Sequence, residues 1–216
     1  MAAANPVGNS PVTPAYWADA CKHLIKKDRV MRKLIPQFGD ACLQTRGDAF
    51  VTLARSIVGQ QISVHAAQKV WDRFAQLPRT VTPANVLRLK VDAMRGAGLS
   101  ARKVEYLVDL ALHFDSGALH VKDWASMPDD DIIAELVAIR GIGRWTAEMF
   151  LIFHMLRPNV LPLDDVGLLS GISQNYFSGD AVSRSDAREV AAAWSPFCSV
   201  ATWYIWRSLD PLPVAY

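Results

Sequence analysis

The chain has 216 residues, 51% of them apolar, and a formal net charge of +2. That length and apolar content suit one large domain or two small helical lobes and exclude a chain with too little apolar surface to fold. The charge is too slight to mark a nucleic-acid binder by bulk electrostatics, so any such contact must come from local patterns. In chain order, residues 1–12 are small and polar with Pro6 and Pro11, and read as a disordered leader. Thr13-Pro14 pairs an N-cap with a proline at the first helical position and opens a helix through Lys27. The same grammar recurs: Asp28 precedes Val30–Ile35, Asp48 precedes Ala49–Val58, Ser63 precedes Val64–Leu77, Thr82-Pro83 precedes Ala84–Leu89, and Ser100 precedes Ala101–Phe114. In the last of these, Val104, Leu107, Val108, Ala111 and Leu112 recur at i, i+3, i+4, i+7 and i+8, which is a helical stripe. Ser126-Met127-Pro128-Asp129 reads as a capping box leading into Ile132–Ile139. No stretch of four or more residues alternates as a strand would, and no repeat or interdomain linker appears, so the expected class is all-α.

Cys21, Cys42 and Cys198 lie far apart without a CxxC. That spacing argues against a disulfide framework, a zinc site or a four-thiolate cluster, and the three read as small buried core residues. The longest apolar run, Met149 to Leu156, contains His154 and is too short to span a bilayer, and Ala2–Val12 lacks the basic and apolar regions of a signal peptide. A reducing compartment fits best, cytoplasmic and nucleoid-associated, or nuclear in a eukaryote.

Between two apolar helical runs stands Ile139-Arg140-Gly141-Ile142-Gly143-Arg144-Trp145-Thr146-Ala147. Two glycines two apart allow positive φ and close approach of another backbone, and the second opens the following helix. Unpaired amides there, with the positive end of the helix dipole, form a phosphate grip that needs no bulk charge. A plain turn between two helices with a glycine C-cap satisfies the same pattern. Twenty positions after Trp145 (165 − 145) comes Leu161-Pro162-Leu163-Asp164-Asp165-Val166-Gly167-Leu168-Leu169. A helix of about 13 residues rises about 20 Å, so Arg144–Leu156 carries the chain away and the loop at 157–163 can return it beside the hairpin. An acid at the start of the next helix is favoured by the dipole, and simple N-capping is the plainer use of such a pair.

In combination, LVAIRGIGRWTAEMFLIF followed at this spacing by LPLDDVGL resembles the helix-hairpin-helix DNA glycosylases, specifically the 3-methyladenine-DNA glycosylase II family. The upstream ARSIVGQQISVHAAQKVWDRF and AYWADACKHLIKKD are similar to that family too, so the resemblance covers roughly residues 15–210. It implies a two-lobed helical bundle over 13–216 with an active-site cleft between the lobes. The central lobe, about 49–165, would carry the hairpin, and the second would come from the N- and C-terminal helices. It also implies the minimal form, without the β-rich domain that some members carry ahead of the helical body.

The second acid of the pair is catalytic in that family, which places the role on Asp165 and leaves Asp164 the cap. By the same resemblance Gln61 is the wedge that fills the space of an extruded base, and Trp145 and Trp206 line the base pocket with Met149. Gly141, Gly143 and Thr146 would donate amides to a phosphate, and the carbonyls of Val137, Ile139 and Ile142 would hold a structural Na⁺ or K⁺, with no other cofactor. The implied activity is that of a monomer that flips alkylated purines, such as 3-methyladenine or 7-methylguanine, from double-stranded DNA and hydrolyses the N-glycosidic bond in base excision repair. An aromatic cage suits a cationic alkylated purine, and a carboxylate near C1′ suits the oxocarbenium-like sugar left behind. Relatives that also cut the backbone carry a lysine where Trp145 stands, and no lysine follows Lys122, so no AP lyase activity is expected. Met149 and Cys198 stand where an aromatic and an arginine are expected, which leaves hypoxanthine, ethenoadenine and 1-methyladenine open as substrates. The alternatives are a helix-hairpin-helix protein that binds DNA without chemistry, a glycosylase for deaminated or oxidised bases, and a helical bundle with no DNA role. Lys22, Lys26, Lys27, Arg29, Arg32 and Lys33 read as a solvated helix face, with Arg102 and Lys103 better placed for phosphate.

Overall fold

The computed structural model describes residues 13–44 and 47–209; the leader read at 1–12 lies outside the described residues. Among the described residues every regular element is helical, so the all-α expectation holds. The chain forms two compact units, one from Gly47–Phe150 and the other from the described residues of Met1–Arg46 and Leu151–Ala215. The Asp164-Asp165 pair therefore goes with the N- and C-terminal helices, whereas the sequence reading carries the central lobe to about 165.

The contiguous unit holds α3 (Ala49–Gly59), α4 (Val64–Ala75), α5 (Pro83–Val86), α6 (Val91–Gly96), α7 (Ala101–Asp115), α8 (Asp129–Val137) and the start of α9 (Arg144–Phe153). Four of its caps are those the sequence marks: Asp48 accepts from Phe50 and Val51, Ser63 from Ala66, Thr82 from Asn85 and Ser100 from Lys103. Ser126 does not cap. Its hydroxyl turns back to the Asp123 carbonyl at 3.0 Å, and α8 starts after Pro128 without a side-chain cap. A backbone acceptor three residues away competes for a serine hydroxyl, and here it wins. The apolar stripes of α3 and α7 meet in a core of Phe50, Leu53, Ile57, Leu107 and Leu110, all 2% exposed or less, with Phe74, Met94, Ile132 and Leu136 fully buried.

At the edge of this unit Glu135 takes three donors: the Trp124 indole N–H at 2.7 Å, the His120 backbone N–H at 3.2 Å and the His120 ring at 2.5 Å. The hydrogen bond and charge of Glu135 raise His120 above the ordinary histidine value. Burial works against the Glu135 anion, but the Trp124 and His120 bonds outweigh it and hold the carboxyl below its usual range. A raised histidine stabilises the fold fully below its unfolded value, near 6.5, and loses that contribution as pH rises through the folded value; a depressed carboxylate contributes above its ordinary value and loses it as pH falls. Stability should therefore fall as pH rises from about 6.5. His120→Ala should flatten that part of the profile in urea-unfolding midpoints measured from pH 5 to 9, and an unchanged slope would show that the pair is idle.

The other unit holds α1 (Trp17–Lys27), α2 (Met31–Leu34) with a 3-10 turn at Ile35–Phe38, the end of α9, α10 (Val166–Tyr176), α11 (Arg184–Ala191) and α12 (Cys198–Leu209). The helix read from Thr13 begins later: Tyr16 is its N-cap without a side-chain capping bond, and a turn from Pro14 O to Trp17 N precedes it. Thr13 instead faces Cys42, Oγ1 to Sγ at 3.4 Å. Asp28 does cap the next segment, its Oδ1 accepting from Val30 and Met31, while its Oδ2 accepts from Tyr176 Oη at 2.8 Å and Trp194 Nε1 at 3.1 Å. This buried carboxylate binds residue 28 to residues 176 and 194. A Ser183/Asp186 capping box, which the sequence reading passed over, opens α11. Leu24, Met31, Ile172, Trp194, Tyr204 and Ile205 form the core, each 1% exposed or less.

Of the cysteines only Cys198 is buried, and burial pushes its thiol up to about 11. Cys21 and Cys42 are half-buried, so the expectation of three core cysteines is corrected for these two. The early basic run is exposed throughout, with Lys22 paired to Asp19 and Arg32 Nε donating to Ile25 O. No helix of the described residues is long and apolar enough to cross a membrane.

Candidate active site

α10 begins at the second acid of the pair. Asp165 is its N-cap, with extended backbone (φ −80°, ψ 114°), and Oδ1 accepts the Leu168 N–H at 2.5 Å. The cap expected at Asp164 is thus corrected. Val166 is the first helical residue, and only the side chain immediately before it reaches the open amides of the first turn. Asp164 turns instead to Arg184, with 2.5 Å between Oδ1 and Nη2, half exposed. A second donor meets the same Asp165 oxygen: Trp206 Nε1, from the last turns of α12, at 2.8 Å. Asp165 is 9% exposed. Two donors on one oxygen leave the carboxyl group a single orientation, the preorganisation that a charge-stabilising group needs.

Trp206 is itself held flat. Its ring stacks on Phe153, centroids 5.6 Å apart and planes 12° from parallel. Gly167 closes the third side: a Cβ there would lie 3.1 Å from Asp165 Oδ1 and 3.3 Å from Trp206 Cδ1. Gly167→Ala should therefore push acid and indole apart by a few tenths of an ångström. Misplacement of about 1 Å can cost 10²-fold, so with Asp165 in the catalytic role that the resemblance implies, single-turnover base release should fall about tenfold, with little change in melting temperature. A variant as fast as the parent would show that the Asp165–Trp206 contact has slack.

In the contiguous unit the hairpin is α8, the turn through Gly143, and α9. Of its two glycines only Gly141 has positive φ, +86°. A Cβ on Gly141 would lie 2.5 Å from Tyr106 Cγ, so the Tyr106 ring occupies the space that any other residue would need. Gly143 is outside the left-handed region, is exposed, and would find nothing within 4 Å of a Cβ. Gly143 opens α9, as its place in the sequence suggests, and its missing side chain leaves open space at the mouth of that helix. A backbone bond from Ala147 N–H to Gly143 O at 3.0 Å opens α9. Arg140 is already engaged: its amide donates to Asp109 Oδ2 at 2.8 Å and its guanidinium meets Glu105. Ile139 and Ile142 are buried and Val137 is 44% exposed; the Ile139 carbonyl accepts the Ile142 N–H at 3.1 Å.

Trp145, 38% exposed, begins a stripe on α9 that continues through buried Met149 to Phe153, at i, i+4 and i+8. Gln61 is exposed, with φ +58°, in the loop between α3 and α4. Its neighbour Gln60 is half-buried and donates Nε2–H to Gly141 O at 2.8 Å. Lys103, placed by its position among candidate phosphate contacts, donates instead to Val58 O at 2.7 Å, and burial lowers its ammonium. Arg102 remains exposed.

The structure thus brings Asp165 against Trp206 within one unit, and the loop of Gln61 against the hairpin within the other. Sequence reasoning missed Phe153, Gly167, Gln60 and Tyr106. The i, i+4, i+8 stripe of α9 points to Phe153, and the small residue two after the acid points to Gly167. Nothing local marks Tyr106.

Residues 54–196 match the family model of the HhH-GPD superfamily base excision DNA repair proteins. The chain belongs to that superfamily. This HhH-GPD chain is 30% identical over 169 residues to the Bacillus subtilis protein YfjP, an alignment covering 73% of the chain but 58% of that relative, so it spans well under two thirds of YfjP's length. It superimposes on the crystal structure of a DNA-3-methyladenine glycosidase from Bacillus halodurans with a TM-score of 0.84 and 32% identity, over 94% of this chain and 93% of the other. A second HhH-GPD neighbour is the 3-methyladenine DNA glycosylase Mag1 of Schizosaccharomyces pombe, solved with abasic DNA, with a TM-score of 0.75, 26% identity, and coverage of 91% and 100%.

Proposed function

We propose that this chain is a monofunctional DNA glycosylase of the 3-methyladenine type II kind, which extrudes alkylated purines from duplex DNA and hydrolyses the bond to C1′. The observation that carries the reading is Asp165, a carboxylate 9% exposed and fixed by Trp206 and Leu168 at the mouth of α10. The 3-methyladenine glycosylase names of the two solved neighbours support the substrate class.

In this mechanism the C1′–N bond breaks heterolytically and its electron pair goes to the base. An N-alkylated purine is already cationic and leaves neutral, so no general acid is required. The carboxylate stabilises the positive charge left on the sugar, then accepts the proton of the water that adds to C1′. Trp206, beside Asp165, would offer a ring face to the cationic base, and Gln61 would fill the gap in the stack. The amides of Gly141, Gly143 and Thr146 would receive a phosphate, and the Val137, Ile139 and Ile142 carbonyls would hold a Na⁺ or K⁺ that adds positive charge there. A lysine-free catalytic half has no amine for a Schiff base, so the abasic product would be released uncut.

The test is incubation with methylated duplex DNA, following free 3-methyladenine and 7-methylguanine by chromatography, with a parallel borohydride trap. Base release without a covalent adduct is expected. No release from any alkylated duplex would sink the glycosylase reading, and a strong adduct would sink its monofunctional part.

A further inference from the structure

We propose that Gln60 is a positioning residue that sets the wedge Gln61 in register with the phosphate grip of the hairpin. The proposal rests on the reading of Gln61 as wedge. Its basis is the bond from Gln60 Nε2 to Gly141 O, 2.8 Å long, joining positions 81 residues apart.

Gln61 has φ +58°, the left-handed region that a non-glycine residue occupies only where its surroundings over-determine it. They do so on both sides. Upstream, Val58 O is held by Lys103 Nζ at 2.7 Å and the Gln60 side chain is held by Gly141. Downstream, Ser63 caps α4 through the Ala66 N–H at 3.3 Å. Between these anchors Gln61 stands exposed at the apex of the loop. Gly141 is equally constrained, by its positive φ and by the Tyr106 ring packed where a Cβ would stand. Its carbonyl faces the Gln60 amide, while its own N–H and that of Gly143 belong to the proposed phosphate grip. One glycine thus links the group that would hold the strand to the loop that would enter the stack.

The physical need for such a link is positional. A wedge replaces a base only if it enters at a fixed step from the phosphate that is gripped, and two independently mobile loops would spread that distance. Gln60 supplies a donor whose removal leaves the Gly141 carbonyl without it and frees the loop to relax out of its left-handed apex.

The experiment compares Gln61→Ala, Gln60→Ala, Gln60→Glu and the Gln60→Ala/Gln61→Ala double variant in single-turnover base release. Each is assayed on the same alkylated base in paired duplex and in an unpaired bulge, with 2-aminopurine beside the lesion reporting extrusion. Gln60→Glu keeps the shape of the side chain and removes the donor. Gln61→Ala and both Gln60 variants should slow release from paired duplex about tenfold, lower the 2-aminopurine signal, and leave the unpaired lesion within about twofold, on the scale of one lost positioning contact. The double variant should be no slower than Gln61→Ala alone, because Gln60 acts through Gln61. Four results overturn the proposal. If Gln60 variants match the parent, no link exists; if the double variant multiplies the losses to about hundredfold, Gln60 acts by another route. If both lesions slow equally, its role is support of the fold. If Gln61→Ala alone is silent, the wedge reading itself fails, and the link falls with it.

Discussion

Asp165→Asn should cut base release by about 10³-fold or more while leaving the fold almost untouched. On the proposed mechanism the rate effect follows from removing the charge that would stand beside the reacting sugar, and losses of about 10²–10³ are typical even for a single neutral stabilising donor. The small stability effect follows from what the side chain does structurally. Oδ1 accepts from Leu168 and from Trp206, and an asparagine carbonyl oxygen accepts both bonds. Asn and Asp are equivalent N-caps, so α10 keeps its start and unfolding should shift by no more than about 0.5 kcal/mol. Asp165→Ala separates the two roles: it loses the charge and the cap, and about 1 kcal/mol of stability with them. Equal rates for parent and Asp165→Asn would leave Asp165 as nothing more than a cap.

Gly141→Ala should damage the fold and the DNA grip together. The new methyl group would overlap the Tyr106 ring, and the residue would have to hold φ +86°. Overpacking costs about 1–3 kcal/mol and a left-handed alanine about 1–2 kcal/mol, so about 3 kcal/mol is expected in denaturant unfolding. The tip of the hairpin carries the amides of the proposed phosphate site, so affinity for duplex containing an abasic-site analogue should weaken at least about tenfold, the effect of losing one charge-assisted contact of about 1.5 kcal/mol. Tyr106→Ala in the same chain removes the overlap but not the backbone strain. The double variant should therefore be less destabilised than the sum of the two singles, and strict additivity would show that the ring is not what excludes a side chain at Gly141.

Local chemistry was readable in the sequence, and pairing across long separations was not. Asp48, Ser63, Thr82 and Ser100 cap where their spacing says they should, because a cap and its amides lie within three residues of one another. Ser126 and Thr13 carry the same signal and fail, since a side-chain oxygen turned to the Asp123 carbonyl in one case and to Cys42 Sγ in the other is turned away from the helix amides. The acid pair shows both sides within two positions. The family resemblance alone put the catalytic role on Asp165, while the assignment of the cap to Asp164 required knowing where α10 starts, and the sequence offers two candidate first residues. The bonds from Trp206 to Asp165 and from Gln60 to Gly141 span 41 and 81 residues, and no periodicity encodes them. Tyr106 under Gly141 is of the same kind: a glycine announces that space is needed, but not what fills it.

The discontinuous make-up of one unit bears on how the chain comes into being. Gly47–Phe150 is contiguous, so the contacts within it need no residue made later than Phe150. The helices α1 and α2 do need such residues: Asp28 waits for Tyr176 and Trp194, made about 150 residues later, roughly 8–30 s of synthesis at 5–20 residues per second. For that interval Leu24 and Met31, which end up with no exposure at all, have no native partner from α10 or α12. α1 and α2 are made long before the helices that cover them, and nascent chains stalled before α10 should be the ones that molecular chaperones hold.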